Sequence, residues 1–168
     1  KNPETVLFHA NKVLVVGMVS DYSTRLRFES RLQDAFDRRG VEAVRSVDLF
    51  DVAFTSTAQS EAELDKVEAQ LLDRDFDAIL FSKRIDSEDR VELTRQLAEM
   101  GRSYERFRED YLIHQGIYYE EDNAELPVQY TAETSLYCIC VGKERELIWR
   151  SAVRLPKTRK TNRTFDAY

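Results

Sequence analysis

The chain has 168 residues, 42% of them apolar and 33% charged, with a formal net charge of −6. That suits one soluble domain with a single core and excludes a disordered segment. No run approaches the roughly 20 apolar residues that span a bilayer, and the acidic balance lacks the basic face that a nucleic-acid binder turns to phosphate.

The opening "KNPETVLFHANK", residues 1–11 with Lys12, carries no signal-peptide pattern. It reads as a leading segment to a mature domain or a cytosolic protein. "KVLVVGMVS" then runs apolar from Val13 to Val19, as in a strand buried on both faces of a parallel sheet. In "SDYSTRLRFESRLQDAFDRRG" the residues Phe28, Leu32 and Phe36 recur every four positions, which makes an amphipathic helix. Ser23 or Thr24 can cap its start, and Gly40 stands where a left-handed cap wants glycine. A second strand, Val41 to Ser46, completes a βαβ unit whose crossover should be right-handed.

Phe54 to Ser60 reads as a loop. Ser60 and Glu63 have the spacing of a capping box ahead of a helix whose stripe is Leu64, Val67, Leu71 and Leu72. Ala78 to Ile85 is a third strand. Residues 12–86 are therefore a β-α-β-α-β half. The stretch 87–127 is a helical and aromatic insert. Its Val91 and Leu93 suit a strand or a helix equally, and a helix is expected from Arg102 to Ile113, stopped by Gly116. Residues 128–155 alternate as an antiparallel hairpin, with Val128, Tyr130, Ala132, Thr134, Leu136, Cys138 and Cys140 on one face and Leu147, Trp149, Ser151 and Val153 on one face of the return strand. Residues 156–168 are a tail. The expected fold is α/β: one domain with a mixed sheet flanked by helices.

Tests for chemistry mostly fail. Gly17 stands alone inside the first strand, with neither G-x-G-x-x-G nor a P-loop pattern, and Asp21 would repel a pyrophosphate. A receiver-type phosphoacceptor pocket needs an acidic pair after the first strand, where only Asp21 stands; the third strand ends in Lys83 and Arg84, with Asp86 beyond. No G-x-S-x-G elbow occurs, and His9 and His114 read as surface or capping residues. The acidic stretches Asp86 to Arg90 and Glu120 to Glu125 lack the spacing of a calcium loop, and the basic cluster Arg154 to Arg163 reads as solvated tail. Cys138 and Cys140, about 7 Å apart on an extended strand, are expected as two thiols rather than a bridge. No catalytic residue, cofactor or metal site is expected. The candidate partner surface is aromatic: Tyr104, Phe107, Tyr111, His114, Tyr118 and Tyr119.

The pieces "KVLVVGMVSD", "RLRFESRLQDAFDRRGVEAVRS", "FDAILFSKRID", "YERFREDYLIHQGIYY" and "ETSLYCICVGKERELIWRSAV" together cover most of Lys12 to Val153. In that combination the chain resembles a family of small bacterial envelope lipoproteins, distantly similar to the N-terminal domain of the Tol-system β-propeller protein and to the curli-secretion pore lipoprotein. The E-T-x-L-Y strand, short turn and L-I-W strand are its most specific part. The resemblance implies a periplasm-facing lipoprotein of the outer membrane, held only by an upstream lipidated cysteine. It implies a terminal helix of which "NRTFDAY" is the first turn. It assigns no catalytic residues, and so points to a non-enzymatic accessory or assembly protein that binds a protein partner or itself, without nucleic acid. The rival expectation is a small cytosolic ligand-binding or enzymatic domain.

Overall fold

The computed structural model describes residues 9–85, 106–119, 129–139 and 147–156. Strand β1 (Lys12–Met18) leads through helix α1 (Tyr22–Asp37) to β2 (Glu42–Arg45). Two short helices, α2 (Ser46–Leu49) and α3 (Val52–Ser56), precede α4 (Glu61–Asp73) and β3 (Ala78–Ile85). Helix α5 (Phe107–His114) runs into a 3-10 turn, Gln115–Tyr118, and the hairpin strands are β4 (Gln129–Cys138) and β5 (Leu147–Pro156).

The described strands form one five-stranded sheet in the order β2-β1-β3-β4-β5. β1 lies parallel to β2 and to β3, whereas β3 and β4, and β4 and β5, are antiparallel. This is the mixed α/β sheet that the sequence implies. β1 is central to the parallel half, and its Val13 to Val16 are buried because helices cover both faces. On one face Leu32 and Phe36 of α1 pack near Val13, Ala78 and Leu80. On the other, Leu64, Val67 and Leu71 of α4 and Phe107 and Tyr111 of α5 pack with Leu14, Val16, Ile79 and Phe81. Phe107 meets Phe81 edge-on, centroids 5.5 Å apart.

Local chemistry sets the element ends. The α4 capping box is present, with Ser60 and Glu63 bonding each other's backbone N–H groups. Gly40 adopts φ +73° just past α1, where a side chain would be strained. The N-cap of α1 is Asp21, whose carboxylate accepts from Thr24 N–H at 2.6 Å, rather than Ser23 or Thr24. The ionised carboxylate is the stronger acceptor at a helix start. The expected loop at Phe54 to Ser60 is in part helix, because Asp51 caps α3 through Phe54 N–H at 2.9 Å. The aromatic helix begins within the described residues at Phe107 and ends at His114, before Gly116; its expected start at Arg102, and Val91 and Leu93, lie outside them.

Two further corrections concern the hairpin. A register shift between Leu136 and Tyr137 sets Leu147 opposite Tyr137 and Trp149 opposite Leu136. An inserted residue flips alternation, so Leu147 packs against the core that holds Tyr137 and not beside Trp149. Cys138 is disulfide-bonded, which corrects the expectation of a thiol there. β4 ends at Cys138, and Cys140 lies outside the described residues.

Candidate functional site

Two polar centres lie inside this framework. The first closes the C-terminal end of β1, where an open α/β sheet usually receives its ligand. β2 stops at Arg45, paired with Val15, so among the described residues the Gly17 backbone has no strand partner on that side. Glu29 of α1 reaches in instead. Its Oε1 accepts from Gly17 N–H at 2.9 Å and from the Ser46 hydroxyl at 2.6 Å; its Oε2 accepts from Val47 N–H at 3.1 Å. The Tyr118 hydroxyl donates to the Gly17 carbonyl at 3.3 Å. Glu29 is fully buried, and a Cβ on residue 17 would stand 2.9 Å from Phe28 Cδ1, so only glycine lets α1 approach this closely.

Burial pushes the Glu29 carboxyl above its ordinary range, against the opposing pull of Ser46, Gly17, Val47 and Arg25. The chain thus places its own carboxylate at the anion position of the fold. Beside it Arg25 is buried, its guanidinium 5.5 Å from the Tyr22 ring and 5.4 Å from Tyr118. Arg25 borders a hollow of about 20 Å³ lined by Phe50, Phe54, Leu64, Tyr111 and Tyr118. That is room for about one water, far below the hundreds of Å³ of a small-molecule site.

The second centre lies between α5 and the antiparallel strands. Lys83 is fully buried; its ammonium donates to Asp110 Oδ1 and to Glu133 Oε1 at 3.0 Å. Tyr137 donates to Asp110 Oδ2 at 2.5 Å. His114 Nδ1 lies 2.9 Å from both Asp110 Oδ1 and the Asp110 carbonyl; both can only accept, so Nδ1 carries the proton. Arg150 of β5 donates from Nη2 to the Tyr137 hydroxyl at 3.1 Å and from Nε to Ser135 at 3.0 Å. Burial raises the Asp110 carboxyl, but the hydrogen bond from His114 and the charge of Lys83 outweigh it, and the net direction is down. Burial and the Asp110 carboxylate push the Tyr137 hydroxyl up. Among the described residues two cations face two carboxylates, so their charges balance and their hydrogen bonds join them to one another.

The structure disperses the aromatic candidates. Phe107 and Tyr111 are core residues; His114 and Tyr118 are buried, each inside one of the two polar centres. Of the six, Tyr119 alone is exposed among the described residues, at 38%, and Tyr104 lies outside them. The physical reason is the helical period: Phe107, Tyr111 and His114 share the stripe of α5 that faces the sheet. His9 is exposed. The residues missed by sequence reasoning are Glu29, Asp110, Glu133, Tyr137 and Arg150. For Glu29 the signal was a charge on an apolar stripe, three and seven positions before Leu32 and Phe36 of the same helix.

Comparisons with known proteins add little to this. No protein-family model and no curated protein matches the chain. Among solved structures, the lipoprotein GNA1162 from Neisseria meningitidis superposes with a TM-score of 0.43 and 11% identity, over 89% of this chain and 82% of that one. A likeness at that level describes a general arrangement of elements and carries no argument about function.

Proposed function

We propose that the chain is a non-enzymatic accessory or assembly protein of the bacterial envelope, periplasm-facing and held at the outer membrane by an upstream lipid anchor. The observation that carries the non-enzymatic part is Glu29: the donor groups that could hold a ligand anion at the end of β1 are taken by the chain's own carboxylate. The Lys83 centre, with its charges paired, buried and directed at one another, supports a structural role in the same way. The compartment rests on the sequence resemblance, and the bridged Cys138 fits it, since disulfides persist in oxidising compartments.

The test is expression of the full-length product in a Gram-negative host, followed by its mass and membrane partition. A lipid-sized mass increment with outer-membrane fractionation supports the reading. An unmodified product in the cytosol sinks it and returns the question to small-ligand screening.

A further inference from the structure

The two edge strands of the described sheet differ in how they meet a neighbour. β2 has four residues; Glu42 is exposed and pairs with Lys12 at 3.2 Å, while Arg45 grips Asp48 at 2.7 and 2.8 Å. A short, charged edge resists pairing with another chain. β5 has ten residues and, among those described, pairs only with β4. It leaves Trp149 at 41% and Val153 at 36% exposed, with Ala152 and Arg154 exposed beside them. Trp149 and Val153 share a face, opposite Leu136 and Ala132 of β4.

We propose that β5 pairs antiparallel with β5 of a second copy, about a two-fold axis at Ser151, joining the two sheets into one. This supplies the binding face of the accessory protein proposed above and rests on that reading. A two-fold axis normal to the sheet keeps each face on its own side, so opposed residues must be an even number of positions apart. Centred on Ser151, the pairing sets Trp149 against Val153 of the second copy, twice, and Arg150 against Ala152. Aromatic against β-branched is a favourable cross-strand pair. Centred on Ala152 it would oppose Arg150 to Arg154, and centred on Arg150 it would oppose that arginine to itself. Like charges directly opposite are unfavourable, so the Ser151 register alone of these three joins the exposed apolar side chains without opposing arginines.

The test is sedimentation of the whole chain, with two cysteine variants under oxidation and one charge variant. The wild type sediments as a dimer at about 100 µM, and on dilution the emission of Trp149, the only tryptophan, shifts to the red as it meets water. Ser151→Cys cross-links through residue 151, because opposed Cβ atoms lie about 4.5–5.5 Å apart. Ala152→Cys does not, because its diagonal mate is about 7–8 Å away, beyond disulfide reach. Val153→Lys, at an exposed position, keeps the circular dichroism of the fold and raises the dimer Kd by about tenfold or more. A wild-type monomer at that concentration overturns the proposal. So does a dimer that ignores Val153→Lys and cross-links at 152 but not at 151. Either failure leaves the envelope reading to its own fractionation test; a cytosolic, unlipidated product with an intact dimer overturns that reading instead.

Discussion

Glu29 and Lys83 are both charged side chains without solvent contact, yet the molecule satisfies them by opposite means. Glu29 is held mainly by neutral donors, two backbone N–H groups and a hydroxyl, and burial drives its carboxyl up. Lys83 is held by two carboxylates, one of which is driven down in return. A charge can thus be kept inside a protein by dipoles or by counter-charges, and the two devices respond differently to mutation and to pH.

The largest loss of stability is expected from Lys83→Met. It removes the ammonium that Asp110 and Glu133 share, and breaking a buried ion pair costs about 3–5 kcal/mol. Urea unfolding at neutral pH checks it: the midpoint should fall with little change in slope. Glu29→Gln should cost less, about 1–3 kcal/mol. Its amide can still accept from Gly17 and Ser46 but turns a donor toward the Val47 N–H, and the same titration should rank it below Lys83→Met.

The pH dependence should separate the two centres by sign. Glu29, with its folded pKa raised, takes up its proton in the folded state first. As pH falls through that raised value towards the ordinary glutamate range, folding gains stability. Asp110, with its folded pKa lowered, contributes stability above the ordinary aspartate range and loses it as pH falls through the depressed value. Chemical unfolding across the acid range should therefore show Glu29→Gln without the gain and with the later loss intact. A variant that keeps both limbs would remove Glu29 as the source.

The smallest effect tests a site outside both centres. Ser60→Ala removes one half of the α4 capping box and should cost roughly 1 kcal/mol. Its thermal midpoint should fall by a few degrees.

What was legible in the sequence divides along the same line. The strands and helices of the parallel half follow from apolar runs and four-residue stripes, and the Ser60–Glu63 box and Gly40 are purely local signals. The site was not local. Gly17 could be seen to lack a phosphate motif, but the group that takes its N–H lies twelve positions away on a helix. Lys83 could be seen at the end of its strand, but Asp110 and Glu133 reach it from elements whose placement depends on which side of the sheet each one covers. The aromatic run misled because polar tips suggested a surface, while the period of α5 turned Phe107, Tyr111 and His114 inward.

One segment serves both centres. Residues 106–119 carry Asp110 and His114 into the Lys83 cluster and Tyr118 onto Gly17, a contact spanning 101 positions. If that segment lifts from the sheet, both centres lose partners together. The end of β1 and the end of β3 should therefore belong to one cooperative opening unit, with amides that exchange at a common free energy in native-state hydrogen exchange, and a nick between 106 and 119 should loosen strands far from the cut.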